Sequence, residues 1–197
     1  ACDGEAYTVF AGLFDPLIEK LHKFKKDDKQ PAVDWGESCK LPEIDPTGEK
    51  IVTVKIECIR SVDCFPFAAL MTMEQYEEVM RKVQTATKCI SGDLKGKFHP
   101  LEGMEKSFKQ ALIDEGILFS ENKQQLLKAA ANGTRFWPTG RGVFINDAKT
   151  FVIWCNEQDH LRFISMETGG NFREFFSLIS CLQFSSFSFP QEMFTTG

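Results

Sequence analysis

The 197-residue sequence has no apolar run of the roughly 18 residues that a membrane span needs. It also has no excess of positive charge, and its formal net charge of −5 gives no electrostatic footprint for nucleic acid. No Cys-x-x-Cys pair occurs, and the seven cysteines are an odd number in a chain too long for a small disulfide scaffold. Free thiols in a reducing compartment fit best, so we expect a cytoplasmic protein. The 43% of hydrophobic residues is enough for one sizeable core.

Strand patterns dominate two parts of the chain. From Ile51 to Ile59 apolar and polar residues alternate, which predicts a strand whose polar face carries Thr53, Lys55 and Glu57. From Gly142 to Met166 the pattern becomes strand, turn and strand, which predicts an antiparallel meander.

Helix patterns lie between these two parts. Thr72 and Gln75 form a capping box at the start of the first helix, which continues with apolar residues at helical spacing. A second helix is expected near Glu105 to Glu115, with Phe108, Ala111 and Leu112 on its buried side, and a third from Asn122 to Ala131.

One polar string stands directly after the apolar run Phe151 to Trp154, and it reads Asn-Glu-Gln-Asp-His-Leu-Arg from Asn156 to Arg162. It brings acid, amide, imidazole and guanidinium groups to the end of a predicted strand. The string closely resembles the signature of the phosphagen kinases, and most of all that of arginine kinases, from which it differs at Gln158. Three further blocks resemble the family in the same order: Leu13 to Glu19, Phe98 to Met104 and Phe136 to Val143.

The resemblance extends from about residue 7 to residue 170 and implies the first part of a phosphagen kinase catalytic domain. We therefore expect an α+β fold, a partial antiparallel sheet flanked by helices that pack on one side. Residues 1–50 are predicted to be a linker and the residual end of an N-terminal domain, and residues 51–170 a partial catalytic domain. Residues 171–197 are predicted to be a divergent tail rich in Phe and Ser. An exposed sheet edge, covered by the tail or by a partner, is expected.

The resemblance also implies a nucleotide site for ATP or ADP with Mg²⁺. In the family, the strand that matches Thr53 to Glu57 carries two arginines that bind the nucleotide phosphates. Lys55 keeps the charge of the first arginine without its planar fork, and Glu57 inverts the charge of the second. Ile145 stands where the family usually has a histidine near the adenine, and Arg162 matches a phosphate-binding arginine.

Glu157 and Gln158 match the carboxylate pair that holds the guanidino substrate in the family. The amide of Gln158 accepts a hydrogen bond, but it supplies no negative charge and takes no proton near neutral pH. We therefore predict an arginine kinase-like protein that is weakly active or inactive in transferring the γ-phosphoryl group of ATP to arginine. The alternative is a non-catalytic pseudokinase that associates with itself or with a complete kinase. A metal site at Asp159 and His160 is disfavoured, because adjacent strand residues point to opposite faces.

Overall fold

The computed structural model describes residues 3–29, 40, 42, 44–62, 64–119 and 132–170, and the backbone of residues 194 and 195. The predicted helix over residues 122–131 lies outside these ranges. The elements follow in the order α1 (Ala6–Val9), α2 (Ala11–His22), β1 (Thr53–Val62), α3 (Met73–Thr87), a 3-10 turn (Gly92–Leu94), β2 (Gly96–Pro100), α4 (Lys106–Asp114), β3 (Gly142–Asn146), β4 (Phe151–Cys155), β5 (Leu161–Thr168) and β6 (Phe194–Thr195).

The strands form one sheet in the order β2-β3-β4-β5-β1-β6, and each neighbouring pair is antiparallel. The predicted meander is confirmed as β3, β4 and β5, and the predicted first strand runs from Thr53 to Val62. The sequence analysis missed β2, which pairs with β3 along its whole length. This strand has Gly at one end and Pro at the other, residues that are uncommon in strands except at a sheet edge.

Both faces of the sheet are buried, because α3 and α4 lie on opposite sides of it. On one face Tyr76, Val79 and Val83 of α3 pack with side chains of the strands. On the other face Leu112 of α4 belongs to a cluster with alternate residues of the same strands. The expectation of helices on one side only is therefore wrong. The capping box that starts α3 is confirmed.

The predicted burial of Leu112 in helix α4 is confirmed, whereas Ala111 is exposed and Phe108 remains 38% exposed, contrary to prediction. The prediction for Phe108 is therefore wrong. Its ring lies 5.1 Å from the ring of His99 on β2, at the rim of the sheet instead of over the core. Phe108 is one turn before Leu112 and shares its face of the helix, so its place in the first turn, and not its face, leaves it at the rim.

Strand β1 is half-buried, in contrast to β3 and β4, which are buried at every position. Ile56 and Cys58 face the cluster under α3, whereas the alternate residues of β1 face outwards. One side of β1 pairs with β5 from Thr53 to Arg60. On the other side β6 pairs only with Ser61 and Val62, and no other strand of the described residues pairs there. Among the described residues, the tail thus pairs with only two residues of β1, at the sheet edge that the sequence analysis expected.

Helix α2 lies at the start of the chain and has no buried residue. Leu13, Leu17 and Leu21 recur along it at helical spacing and are all exposed. A search of the described residues for a helix long and apolar enough to cross a membrane found none.

Candidate active site

Four charged side chains and one amide meet where β1, β5 and the turn between β4 and β5 come together. Arg162 Nη1 donates to Glu57 Oε2 at 3.2 Å, and Arg162 Nη2 donates to Gln158 Oε1 at 2.9 Å. Glu157 Oε2 lies 3.5 Å from Arg162 Nη2. Lys55 Nζ lies 2.8 Å from the second oxygen of Glu57, Oε1. We call these five residues the charged network.

The register of the sheet explains why these residues meet. Arg162 of β5 lies opposite Ile59 of β1 and opposite Trp154 of β4. Glu57 lies opposite Ile164, which makes it the diagonal neighbour of Arg162 on the same face. Since side chains alternate between faces with a period of two, every second residue of each strand projects towards this network.

Trp154 forms the floor of the charged network. The centre of its ring lies 5.4 Å from Cζ of Arg162 and 5.9 Å from Nζ of Lys55, within the range of cation–π attraction. Its indole Nε1 donates to the carbonyl of Ile117 at 2.7 Å, which fixes the ring. The sequence analysis did not assign Trp154 to the site. Its position in the alternation of β4 is the signal that places it on the same face as Arg162.

The charged network has no net formal charge, because Lys55 and Arg162 supply +2 and Glu57 and Glu157 supply −2. The hydrogen bond from Lys55 lowers the pKa of Glu57, and the positive charges of Lys55 and Arg162 lower it further. Glu57 is therefore held as a carboxylate. The side chains of Arg162 and Glu157 are 18% and 12% exposed, so their attraction is less screened by water than that of Lys55 and Glu57.

Asn156 is the first residue of the turn between β4 and β5. Its backbone lies in the left-handed region, with φ of 57°, which Asn tolerates better than most residues. Its side-chain Nδ2 donates to the carbonyl of Tyr76 on α3 at 3.0 Å and to that of Gly140 at 2.7 Å. Its backbone N–H donates to the carbonyl of His160 at 2.9 Å and closes the turn. The turn that carries Glu157 and Gln158 is thus anchored to two other parts of the fold.

His160 is the last residue of the same turn and is buried. Its Nδ1 accepts a hydrogen bond from the N–H of Val62 at 2.8 Å, and its Nε2 lies 2.9 Å from the carbonyl of Pro66. Burial lowers the pKa of the imidazole, so the neutral form predominates. Both ring nitrogens are used in hydrogen bonds within the protein. No metal-binding cluster of His, Cys, Asp and Glu occurs among the residues described.

Arg141 lies at the start of β3 and is fully buried. Its guanidinium lies between two aromatic rings, 4.5 Å from the ring of Tyr76 and 5.1 Å from that of Trp137. It donates to the carbonyls of Gly133 and Thr139 at 2.8 and 3.2 Å. Burial lowers the pKa of this guanidinium from its usual high value. These contacts hold together the block around Trp137 that the sequence analysis singled out.

The structure brings some of the predicted site residues together and leaves others apart. Thr53 is exposed at the start of β1, opposite Thr168, two residues before Lys55 on the same face. Ile145 lies on β3, three strands away from β1, and is 7% exposed within the cluster under α4. The residues that meet are the five of the charged network: Lys55, Glu57, Glu157, Gln158 and Arg162.

Comparison with known proteins decides the family. The family model described as ATP:guanido phosphotransferase, C-terminal catalytic domain, matches residues 78–183, which is more than half of the chain. The chain belongs to this family. It is 51% identical to arginine kinase 1 of Drosophila melanogaster over 172 residues, which cover 87% of this chain and 48% of that protein. It is 50% identical to arginine kinase of Schistocerca americana over the same shares of both chains.

Solved structures of other ATP:guanido phosphotransferases share the fold. The crystal structure of lombricine kinase matches with a TM-score of 0.82 and 35% identity, over 91% of this chain and 49% of that chain. The duplicated taurocyamine kinase from Schistosoma mansoni with bound transition state analog components matches with a TM-score of 0.85 and 31% identity, over 100% of this chain and 28% of that chain. The expected α+β fold is confirmed. The chain spans about half the length of the curated relatives it matches.

Proposed function

We propose that this chain is an arginine kinase-like phosphotransferase whose described site binds Mg²⁺-nucleotide weakly and transfers the γ-phosphoryl group slowly or not at all. In this proposal residues 1–50 are a linker and the end of an N-terminal domain, residues 51–170 are part of the catalytic domain, and residues 171–197 are a divergent tail. The observation that carries the proposal is the charged network, in which Glu57 engages both Lys55 and Arg162. The free cysteines Cys89 and Cys155 fit a cytoplasmic location.

Lys55 and Arg162 are the cations that would hold the nucleotide phosphates. Their fit to a polyphosphate is partial, because a phosphate oxygen has to compete with Glu57 for each of them. A unit charge pair about 4 Å apart contributes roughly 1 to 4 kcal/mol in wet to intermediate surroundings. Replacing one attraction by one repulsion of this size weakens binding by at least about tenfold. The nucleotide would supply the phosphoryl group, and the protein would supply only charge and orientation.

Glu157 and Gln158 are the residues that would orient the guanidino group. In the transfer, the bond between the γ-phosphorus and its bridging oxygen breaks, a nitrogen–phosphorus bond forms, and a proton leaves the nitrogen. Glu157 is the carboxylate that would take this proton. The Gln158 amide oxygen already accepts from a guanidinium, that of Arg162, so it would hold the substrate guanidinium by a hydrogen bond but without the negative charge of a carboxylate. The proposed consequence is that the substrate is placed correctly but that its positive charge is poorly stabilised.

The experiment is a titration of the chain with Mg²⁺-ADP, followed by tryptophan fluorescence, with Trp154→Phe to identify the contribution of Trp154, and an assay of phosphoarginine formation from Mg²⁺-ATP and arginine. The parent chain is compared with Glu57→Arg, Gln158→Glu and the double variant. We expect Glu57→Arg to bind Mg²⁺-ADP at least about tenfold more tightly than the parent, because it restores a cation at the phosphate position. Submicromolar binding and steady turnover by the parent would contradict the proposal of weak activity.

The second candidate function is that of a non-catalytic module that associates through a sheet edge. The observation that favours it is the outer side of β1 from Thr53 to Glu57, which pairs with no other described strand. Unpaired N–H and C=O groups on such an edge are a template for another strand. Sedimentation of the chain alone and mixed with a complete arginine kinase tests this. Ile59→Lys, which places a charge at an exposed position of β1, should abolish an edge-mediated complex and leave any complex through another surface intact.

A further inference from the structure

We propose that His160 is a positioning residue of the charged network: its Nδ1 continues the ladder between β1 and β5 by one bond and so sets where Arg162 and Gln158 stand relative to Glu57. The meaning of this role for catalysis rests on the proposed function. The positioning itself is a property of the free protein and is testable without nucleotide. His160 touches no reacting group, so its effect is indirect.

The backbone hydrogen bonds between β1 and β5 end before the N–H of Val62, which therefore has no backbone acceptor on β5. The last residue pair of the ladder is Arg60 with Leu161. In an antiparallel pair the next two residues along β1 would bring Val62 opposite Asp159. The chain turns there, and the N–H of Val62 donates to His160 Nδ1 at 2.8 Å instead of to a carbonyl of the partner strand. The imidazole therefore takes the place of a backbone acceptor.

The second ring nitrogen fixes which proton the imidazole carries. The carbonyl of Pro66 only accepts hydrogen bonds, so His160 Nε2, 2.9 Å away, has to be the donor. Val62 N–H only donates, so Nδ1 has to be the acceptor. The neutral tautomer with hydrogen on Nε2 is the form that satisfies both. The ring thereby joins the end of β1, the loop at Pro66 and the start of β5.

The ring is held rigidly in this position. His160 is 1% exposed, and the ring of Phe65 meets it edge-on, with the ring centres 6.2 Å apart. Asp159, which is next in the chain, acts on the imidazole as a charge, and Lys82 Nζ of α3 lies over the Phe65 ring, 5.1 Å from its centre. Gln158 and Arg162 are each two residues away from His160 along the chain. A rigid anchor between them limits how far either can move from Glu57.

Two substitutions separate the two hydrogen bonds of the ring. In His160→Asn the amide oxygen is attached to the same atom as Nδ1 and keeps an acceptor for Val62. In His160→Gln the amide nitrogen reaches the position of Nε2 and keeps a donor for Pro66. Both variants lose one hydrogen bond and replace the ring by an amide. A purely structural role of His160 therefore predicts similar losses of stability and similar effects on the charged network.

The test uses ¹H–¹⁵N NMR spectra of the free chain. The readouts are the side-chain Nε–H of Arg162 and the indole Nε1–H of Trp154, assigned with Arg162→Lys and Trp154→Phe. We expect both signals to stay in place in His160→Asn and to move in His160→Gln, although both variants lower Tm. His99→Gln, which removes a half-buried histidine of β2, is the matched control and should move neither signal.

Equal movement in both variants, movement only in His160→Asn, or no movement in either would overturn the proposal. If His160→Gln fails to fold, a long-range ¹H–¹⁵N spectrum of the parent still decides, because the tautomer with hydrogen on Nδ1 would contradict the bond from Val62. A failure of Mg²⁺-ADP binding would count against the proposed function and leave this result unaffected.

Discussion

Acid is expected to destabilise the protein through His160. Burial lowers the pKa of this imidazole below its ordinary value of 6.5. In the unfolded chain the group takes up a proton near pH 6.5, whereas the folded protein resists that proton until the pH reaches the lowered value. The contribution to stability is therefore complete above pH 6.5 and is lost as the pH falls from there towards the folded pKa.

The slope of this loss is up to about 1.4 kcal/mol per pH unit for one group. Between pH 7.5 and pH 5.5 the loss from His160 is at most about 1.4 kcal/mol, the value reached when the folded protein takes up no proton at the lower pH. In His160→Asn this loss disappears, because the amide does not titrate. The variant should be less stable than the parent at pH 7.5 but should lose less stability on going to pH 5.5, by up to about 1.4 kcal/mol.

Urea unfolding at the two pH values measures the difference. His99 is a second histidine whose pKa is lowered, by burial first and by the charge of Lys97 second, so His99→Gln provides the comparison at an outer strand. The carboxylates contribute equally to parent and variants and cancel in the comparison. If His160→Asn lost as much stability as the parent between the two pH values, the claim that the folded protein keeps His160 neutral would be refuted.

Two further substitutions test the anchors of the turn and of α3. Asn156→Ala removes the donor to two buried carbonyls and should lower the free energy of unfolding by about 2 to 3 kcal/mol in urea titrations, whereas a loss below 0.5 kcal/mol would contradict these bonds. Gly140→Ala should prevent native packing, because its φ is 68° and an added Cβ would lie 2.6 Å from backbone and side-chain atoms of Tyr76; near-parental circular dichroism and Tm would refute that approach. Gly103→Ala, also at positive φ but in open space, is the control.

The sequence predicted the elements whose signals are local. The capping box at Thr72 and Gln75 depends on residues three apart, and the meander from Gly142 depends on short apolar runs separated by turn residues. Strand β2 was missed because its pairing with β3 joins residues about fifty apart in the chain, which no local pattern records.

The candidate site was predictable in its residue types and not in its contacts. Resemblance named Glu57 and Arg162, and their opposite charges already indicated a loss of cationic character. That these two side chains bond to each other follows from the register of β1 on β5, which long-range packing sets. The same applies to His160, whose partners Val62 and Pro66 are more than ninety residues away in sequence.

In this account, Glu57 neutralises the two cations of the charged network. The most direct test of this claim is the Mg²⁺-ADP affinity of Glu57→Gln, measured by calorimetry beside the parent. This substitution keeps the size of the side chain and removes its negative charge, so Lys55 and Arg162 become available to phosphate. Glu115→Gln, which removes the partner of Lys149 at 2.6 Å outside the site, is the control for loss of an acidic partner. We expect Glu57→Gln to tighten binding about tenfold and Glu115→Gln to leave it unchanged. Equal affinity in the parent and Glu57→Gln would contradict the account.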